Sequence, residues 1–549
     1  MSDPLFAERY MRAAAHDRRF DGYFVTGIRM SEIFCRPGCA TRAPRPTQVT
    51  FYPTAAAAHA AGLTPCPRCR PDMTCAAPDI ARGDTLAARA LRLIADGEID
   101  RTGVDGLARR LSVTTRQVLR AVETWAGCGP LSVARSARAH LARLLLTATT
   151  IPISEVATAA GFTSVRQFNS TILQFYGTTP GAIRGGVRGG VRGGFSAGTG
   201  RLVGDPVGYP VGDPVGAGIR GGASVGANAV VRHRTIATNG TGPLVLRCSL
   251  PVRQPFDAAG IFAFLTAYAI TNVEEGGERW YARTVRLPHG AGHFRVDRSG
   301  ATSGASGATS GASGASGVAG IRSALLVQLS VQDPRDIGTL YSRVRRLFDA
   351  DADPVPIDAR LAQDPALAPS VVAHPGVRVP GTVDIEETLF RIMIEQQTSA
   401  FAARALLNRL ARLLGEATPW GLLFPTIDAI AEHARAVLTG PPARIDTIID
   451  IAHAIVAARS HLHCGCSRAE LANLVSAFPG VDASTADRVM VRVLGQADVL
   501  LADDADLRRG AGRLRMPTDP VALAHHGMLW LPWQSYAGMH LWYAARGAP

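Results

Sequence analysis

GIRMSEIFCRPGCATR (27–42) and AAGLTPCPRCRPD (60–72) are the two stretches that decide the fold at the start of this chain. Two close pairs of cysteines, separated by a short stretch of sequence, predict one Zn²⁺ ion in a closed tetrahedral site with four thiolate ligands. Spacing alone leaves two interpretations open, an inert structural zinc site and a reactive thiolate. The two pairs are Cys35 with Cys39 and Cys66 with Cys69.

Composition and charge limit the class of protein. A chain of 549 residues is long enough for about three to four domains. The formal charge of +13 favours a polyanionic partner, and all 58 basic residues are arginine, so no side chain can form a Schiff base. Cysteine usage fits a reducing compartment. The first residues lack the apolar core of a signal peptide and no stretch approaches a membrane span, so we expect a cytoplasmic protein without membrane contact.

The residues around the cysteines indicate a resemblance to a known protein family. The segment 21–72, with IFCRPGC and PCPRCRPD, resembles the N-terminal zinc domain of the Ada alkylation-response family, which repairs methylphosphotriesters in DNA. The resemblance implies that a domain over 1–80 binds zinc through all four cysteines and that Cys35 also accepts the methyl group. A zinc-bound thiolate stays deprotonated and needs no general base. Methylation of Cys35 would remove one negative charge from the cluster and should tighten DNA binding.

Residues 85–184 are rich in Ala, Leu and Arg with a helical period, and they contain two similar helical pairs. The stretch 160–180, AGFTSVRQFNSTILQFYGTTP, resembles the double helix-turn-helix of AraC-type regulators. We expect recognition helices to start at Thr114–Thr115 and Thr163–Ser164. Six polar residues on them are candidates for DNA contacts, although any one could instead be a solvated helix face. These are Arg116, Gln117, Arg120, Arg166, Gln167 and Asn169.

Two low-complexity tracts separate and interrupt the later part of the chain. Residues 185–235 repeat Gly, Val, Pro and Arg and are predicted to be a disordered linker. A mixed α/β lobe is expected over 242–360, and it contains the second tract, 300–317. This tract lies between two alternating apolar segments, so we predict an expanded hairpin loop between neighbouring strands.

The last part, 361–549, contains LVSAFPGVDASTADRVM (474–490), which predicts two helices joined by a tight turn. Such a turn can direct backbone N–H groups at a DNA phosphate, with a monovalent cation as a further expected ligand. The turn and the aspartate about twenty residues later resemble the helix-hairpin-helix DNA glycosylases. Stretches 255–284, 378–403 and 530–543 narrow the resemblance to AlkA-type 3-methyladenine glycosylases. The turn residues are Pro479, Gly480, Val481 and Asp482.

The glycosylase resemblance implies roles for individual residues. Asp504 would stabilise the positive charge that develops on the sugar, the alternative being a solvated acidic loop. Gln396 would fill the vacated base stack, Gln397 would be a neighbouring wedge, and Trp542 would line the base pocket. The remaining aromatic residues of these stretches are interpreted as core, and the absence of lysine predicts a monofunctional hydrolase. The core set is Trp280, Tyr281, Trp530 and Trp533.

Several residues depart from the family pattern. Asp482 stands where the hairpin has a second glycine, and its charge would face the phosphate. Ser484 replaces a common aromatic residue, and Arg488 stands where a pocket tyrosine is expected. The motif HLHCGC (461–466) has metal-like letters, but its spacing is too tight for a tetrahedral site and favours a loop between helices.

Together these features predict a multidomain fold, mainly α with α+β parts. The predicted function is methyl transfer to a zinc-bound cysteine, promoter binding and hydrolytic excision of alkylated bases of the 3-methyladenine type. The alternative is a transcriptional activator whose glycosylase-like half is an inactive DNA clamp. Expected partners are alkylated and promoter double-stranded DNA and RNA polymerase, for a monomer in the bacterial cytoplasm at the nucleoid. No PCHR motif occurs, so repair of O6-methylguanine is not predicted.

Overall fold

The computed structural model describes residues 5–41, 44–73, 83–186, 242–298, 324–478 and 481–547. Within these ranges the chain forms several domains that are mainly helical, with one small and one larger sheet, which confirms the predicted fold class. No helix in the described part is long and apolar enough to cross a membrane. The predicted linker from residue 187 onward, the tract 300–317 and the turn residues Pro479 and Gly480 lie outside the described residues.

The N-terminal domain is a four-stranded sheet in the order β3-β1-β2-β4 with two short helices. Strands β1, β2 and β3 are antiparallel, whereas β4 runs parallel to β2. Ala56, Ala57 and Ala58 of α2 are buried, and Thr54 caps that helix by accepting from Ala57 N at 3.1 Å. The elements are α1 (Phe6–Ala14), β1 (Val25–Ile28), β2 (Ile33–Cys35), β3 (Val49–Tyr52), α2 (Ala55–Ala60) and β4 (Thr64–Pro65).

Seven helices follow, and local signals set the bounds of both predicted recognition helices. Thr114 begins α5 with a capping box, and Ser164 caps α8. Gly127 and Gly177 end these helices in the left-handed region, with φ of 74° and 64°. The helices are α3 (Leu86–Ala95), α4 (Glu98–Arg110), α5 (Thr115–Ala126), α6 (Pro130–Ala148), α7 (Ile153–Ala159), α8 (Val165–Tyr176) and α9 (Pro180–Gly186).

The α/β lobe is a five-stranded antiparallel sheet in the order β5-β9-β8-β7-β6. Its third and second strands are those predicted on either side of the low-complexity tract, with Val296 opposite Val327, so the predicted pairing is confirmed. Alternate residues of β5 are buried. The elements are β5 (Leu244–Pro251), α10 (Ala258–Ala267), β6 (Glu274–Gly277), β7 (Trp280–Leu287), β8 (Gly290–Asp297), β9 (Ala324–Val331) and α11 (Ile337–Leu347).

The helical lobe fills the rest of the chain, with one short hairpin of two-residue strands. A π-helical turn, Met490–Leu494, continues the second helix of the predicted hairpin. The elements are α12 (Pro354–Leu361), α13 (Ala368–Ala373), α14 (Ile385–Gln396), α15 (Ala400–Leu414), β10 (Ala417–Thr418), β11 (Gly421–Leu422), α16 (Ile427–Val437), α17 (Pro442–Ala458), α18 (Arg468–Ser476), α19 (Ala483–Val489), α20 (Ala505–Arg513), α21 (Pro520–Gly527) and α22 (Gln534–Arg546).

The HLHCGC motif joins the helix-turn-helix region to the helical lobe. It lies between α17 and α18, as predicted, and its carbonyl groups accept hydrogen bonds from α3. Arg92 Nε donates to Cys464 O at 2.7 Å, and Arg89 Nε donates to Gly465 O at 2.7 Å. Arg89 also pairs with Glu470 at 2.6 Å. The loop is therefore a docking surface for two arginines that are far away in the sequence.

Replacing both arginines tests this contact. In the double variant Arg89→Ala, Arg92→Ala, each lost charged hydrogen bond costs about 1.5–3 kcal/mol. We expect the amides of 463–466 to exchange with deuterium at least about tenfold faster. Arg109→Ala, which removes an exposed arginine of α4, is the control. Unchanged exchange in the double variant would mean that the arginines do not stabilise the docked loop.

Candidate functional site

The four predicted zinc ligands come together in one buried cluster. The Sγ atoms of Cys35, Cys39, Cys66 and Cys69 all lie within 4.8 Å of one another. Because β2 and β4 are parallel neighbours and Cys66 N donates to Phe34 O at 2.9 Å, the two cysteine pairs meet side by side. Tetrahedral Zn²⁺ with bonds of about 2.3 Å separates its sulfur ligands by about 3.8 Å. The donor set and spacing fit one Zn²⁺ ion, as predicted.

The first cysteine pair is positioned by a short turn. Cys39 N donates to Arg36 O at 3.1 Å, and the Sγ of Cys39 lies 2.9 Å from Thr41 Oγ1. Asp21 accepts from Gly38 N at 2.8 Å and pairs with Arg36 at 3.2 Å. Burial raises the pKa of Asp21, against the opposing effect of Arg36. The turn that presents Cys35 and Cys39 is thus attached to the preceding segment.

Close packing of the sulfurs controls their protonation. Hydrogen bonds with the other thiols lower the pKa of Cys39 and raise the pKa of Cys35. Four thiolates within 4.8 Å of one another would repel each other, so a cation among them would stabilise the deprotonated cluster. A metal cation at this position favours the thiolate form of each ligand.

An aromatic contact connects the strand of Cys35 to the second recognition helix. The His59 ring lies 4.9 Å from the ring of Phe34 and 4.2 Å from the ring of Phe175 at the end of α8. Burial lowers the pKa of His59 to about 4, so this ring is neutral at pH 7. The sheet that carries the zinc ligands therefore packs, through His59, against α8, the second helix predicted to bind DNA.

The six predicted DNA-contacting residues lie on the two recognition helices. Arg116, Arg120, Arg166 and Asn169 are exposed, and so is Gln117, whereas Gln167 is half-buried. Both glutamines also have a structural role. Gln117 Oε1 accepts from Thr114 N at 2.8 Å, and Gln167 Oε1 accepts from Thr163 Oγ1 at 2.9 Å. Their carbonyl oxygens are therefore already used at the helix starts.

Asp504 and Trp542 line one cavity of about 110 Å³. Asp504 is the N-cap of α20, and its Oδ1 accepts from Asp506 N at 2.9 Å and from Leu507 N at 3.1 Å. Its Oδ2 accepts from Arg488 Nη2 at 3.1 Å. Asp503 and Asp506 are not among the lining residues. The helix cap therefore fixes the orientation of the Asp504 carboxylate.

The cavity wall includes residues that sequence reasoning did not assign. Phe264 and Tyr268 lie in the stretch 255–284. They become neighbours of Trp542, which is far away in the sequence, only when the chain is folded. The ring of Phe264 lies 5.1 Å from that of Trp542, and Trp542 Nε1 donates to Tyr268 OH at 3.2 Å. Glu395 and Arg492 complete the charged part of the wall with Arg488 and Asp504.

The remaining predicted residues lie outside this cavity. Gln397 is exposed and lines a separate hollow with Thr398 and Arg444. Gln396 ends α14 and hydrogen-bonds Asp482. Ser484 is not in the wall. Of the aromatic residues assigned to the core, Tyr281 and Trp530 are fully buried, whereas Trp280 and Trp533 are half-buried.

Asp482 has a definite structural role in the hairpin. It is the N-cap of α19 and accepts from Thr485 N at 2.7 Å. This backbone bond, with the side chains of Thr485 and Gln396, lowers the pKa of Asp482. The sequence expectation placed its charge towards a phosphate; in the structure the carboxylate occupies the N-terminus of α19, where an anion would otherwise bind.

Known families match three parts of the chain. The metal-binding domain of Ada matches 8–72, a helix-turn-helix domain matches 107–186, and the AlkA N-terminal domain matches 247–384. The "Probable bifunctional transcriptional activator/DNA repair enzyme AlkA" of Mycobacterium tuberculosis (strain CDC 1551 / Oshkosh) is 35% identical over 542 residues, 98% of this chain and 96% of that protein. The chain therefore belongs to the family of this AlkA-type bifunctional transcriptional activator/DNA repair enzyme.

Two relatives from Escherichia coli (strain K12) match separate parts of the chain. "DNA-3-methyladenine glycosylase 2" is 26% identical over 304 residues, 54% of this chain and 97% of that protein. "Bifunctional transcriptional activator/DNA repair enzyme Ada" is 43% identical over 65 residues, 12% of this chain and 18% of that protein. The Ada and AlkA resemblances stated from the sequence are thereby confirmed.

Zinc content tests the metal centre. The protein as purified from zinc-containing medium should hold one Zn²⁺ per chain, and Cys39→Ala should lose most of it because one of four ligands is missing. Metal content is measured by inductively coupled plasma mass spectrometry. Cys248→Ala, at another buried cysteine in β5, should retain the full amount. A full zinc equivalent in Cys39→Ala would exclude the four-thiolate site.

Replacing Asp482 tests the hairpin. Asp482→Gly loses an N-cap at a cost of a few tenths of a kcal/mol, but removes a negative charge from the helix N-terminus. We therefore expect undamaged duplex DNA to bind several-fold more tightly at low salt, measured by fluorescence anisotropy. Asp519→Gly, which removes the N-cap of α21, is the matched control and should leave the affinity unchanged. Equal affinities of Asp482→Gly and the native chain would place the carboxylate away from the DNA.

Proposed function

We propose that the chain senses and repairs DNA alkylation in three ways: stoichiometric methyl transfer to Cys35, promoter binding through α5 and α8, and hydrolytic excision of alkylated bases. The observation that carries the proposal is the pairing of two sites in one chain. One is a buried cluster of four sulfurs, and the other is an aromatic cavity with the capped carboxylate of Asp504. The name of one Escherichia coli relative, a DNA-3-methyladenine glycosylase, supports base excision, and the name of the other, a transcriptional activator and DNA repair enzyme, supports regulation and repair.

Methyl transfer requires only a nucleophile and a leaving group. The Sγ of Cys35 would attack the methyl carbon of a neutral methylphosphotriester, so that an S–C bond forms, the C–O bond breaks, and the phosphodiester anion leaves. A Zn²⁺ ion held by Cys35, Cys39, Cys66 and Cys69 would keep the Cys35 sulfur deprotonated at neutral pH, so no general base would be needed. The thioether product is stable, so each chain would react once. Loss of one negative charge from the cluster would then favour binding to the DNA backbone.

Base excision would use the geometry around Asp504. Two backbone N–H groups orient Oδ1, so the carboxylate can stabilise the positive charge that develops at the anomeric carbon. The glycosidic electron pair leaves with the base, and water adds to the sugar. The rings of Phe264, Tyr268 and Trp542 offer surfaces for an extruded base. Because the chain has no lysine, the product would be an abasic site rather than a cut strand.

Transcriptional regulation depends on both recognition helices. The exposed arginines of α5 and α8 can contact phosphates and base edges. We further propose that the chain binds promoters as a monomer and that the bound form contacts RNA polymerase. Analytical ultracentrifugation of the protein with a promoter fragment would show one chain per fragment, and a dimer would contradict this.

A second candidate is favoured by a specific observation. The pair between Arg488 and Asp504, at 3.1 Å, partly neutralises the carboxylate, and Asp482 occupies the start of α19. Both features would suit a transcriptional activator whose glycosylase-like half is an inactive DNA clamp. Release of a damaged base separates the two candidates.

Asp504→Asn tests the excision site. The amide oxygen can still cap α20, but the charge is lost, so we expect release of 3-methyladenine from methylated duplex DNA to fall by at least about 100-fold. Free base is measured by liquid chromatography in single-turnover reactions. Asp503→Asn, a neighbour outside the cavity wall, should stay near the native rate. No release by the native chain would favour the inactive clamp.

Cys35 has its own test. After reaction with duplex DNA that carries methylphosphotriesters, the zinc-loaded protein should gain the mass of one methyl group. Peptide mapping by mass spectrometry should place it on Cys35, and Cys35→Ala should gain none. A methyl group on another cysteine of the cluster, or no gain by the native chain, would contradict the assignment.

A further inference from the structure

Guanidinium groups lie over the aromatic rings of the cavity that Asp504 and Trp542 line, which we call the excision cavity. Arg492 Cζ lies 5.2 Å from the ring centre of Phe264, and Arg546 Cζ lies 4.2 Å from that of Trp542. Arg546 is also 6.0 Å from the ring centre of Tyr268. A cation over an aromatic face uses the negative potential of that ring. Part of the negative potential of these rings therefore already stabilises a guanidinium, which leaves less of it for a cationic base.

The cavity wall also carries an unusual balance of charge. Arg488 and Arg492 face Asp504 and Glu395, so the four charges in the wall cancel. With a neutral tyrosine at 488, the wall would have one net negative charge. Arg488 lies next to the carboxylate itself, with Nη2 3.1 Å from Asp504 Oδ2.

Arg492 has hydrogen-bonding capacity that the described residues leave unused. It is half-buried on the π-helical turn, and its Nη2 donates to Gly381 O at 3.3 Å. Its Nε is buried without a hydrogen-bond partner among the described residues. Leaving such a charged donor unsatisfied is costly, so a carbonyl or ring nitrogen of a ligand would be favoured beside it.

We propose that this cavity selects uncharged lesion bases that present a carbonyl or ring-nitrogen acceptor, such as hypoxanthine, over cationic N-alkylated purines. Arginine donates to the O6 and N7 edge of a purine in a favourable geometry. A cationic base would instead meet two guanidinium groups in the wall and rings whose negative potential already stabilises an arginine. This inference rests on the proposed excision activity and names its preferred class of substrate.

The same arginines would assist the reaction of an uncharged base. When the glycosidic bond breaks, its electron pair passes to the base, and negative charge develops on the ring nitrogens and carbonyl oxygen. A cationic purine cancels that charge itself, whereas an uncharged base needs an external positive group. Arg488 would supply it. Water adds its oxygen to the anomeric carbon, and the proton released passes through solvent to the departing base.

The test compares two lesions in otherwise identical duplexes, hypoxanthine as the uncharged base and 7-methylguanine as the cationic base. Single-turnover excision rates are measured for the native full-length protein and for variants of Arg488. The native chain should release hypoxanthine faster. Arg488→Tyr and Arg488→Gln should shift the rate ratio at least about tenfold towards 7-methylguanine, whereas Arg488→Lys, which keeps the charge, should shift it less.

A matched control separates the charge at this site from charge in general. Arg435→Gln removes an arginine that is paired with Asp446 on the surface between α16 and α17, and it should leave the ratio unchanged. Circular dichroism of each variant verifies its fold, and Arg488→Gln serves where Arg488→Tyr fails to fold.

The outcomes distinguish the inference from the proposed function. An unchanged ratio in Arg488→Tyr and Arg488→Gln, with release that still requires Asp504, would overturn the inference and keep the glycosylase. Faster release of 7-methylguanine than of hypoxanthine by the native chain would overturn it as well. No release of either base by the native chain would remove both the inference and the excision activity.

Discussion

A buried network of four charged side chains joins the two lobes of the C-terminal half, and the excision cavity depends on it. Arg283 on β7 donates to Glu274 at 3.0 Å and to Glu387 on α14 at 2.7 Å, and Arg391 pairs with both carboxylates at 3.0 Å. Burial acts to raise the pKa of Glu274, but the two arginines hold it below its ordinary value. Breaking one partner of such a network leaves a buried charge uncompensated, at a cost of about 3–5 kcal/mol. The network therefore fixes α14 against the sheet.

The position of α14 determines where one residue of the cavity wall and one residue next to the hairpin lie. Its last turn carries Glu395, which lines the cavity, and Gln396, which hydrogen-bonds the cap of α19. Arg488 then extends from α19 to the carboxylate of Asp504. The α/β lobe, the hairpin and the candidate catalytic carboxylate are thus connected by a continuous series of polar contacts. The zinc-binding domain contacts α8 through an aromatic contact instead, in which the neutral ring of His59 lies between Phe34 and Phe175.

Sequence reasoning succeeded where the signal is local. Cysteine spacing predicts four ligands for one ion. Thr114 begins a helix because its hydroxyl and the Gln117 side chain satisfy free N–H groups there, and Ser164 begins one through its hydroxyl. It failed where contacts join distant segments. Nothing in the stretch around Phe264 indicates that its ring meets Trp542, and HLHCGC gave no sign that Arg89 and Arg92 bind its carbonyl groups. Arg488 was recognised as a departure, but its pairing with Asp504 depends on how α19 and α20 pack.

In the proposed function, Asp504 stabilises positive charge on the sugar of an extruded nucleotide despite its pairing with Arg488. The most direct test of this role is the affinity for duplex DNA that contains a cationic pyrrolidine in place of the damaged nucleotide, compared with an uncharged tetrahydrofuran. If the carboxylate has this role, the native protein binds the pyrrolidine duplex at least about tenfold more tightly, and Asp504→Asn abolishes the difference. Equal affinity of the native protein for the two duplexes would contradict it.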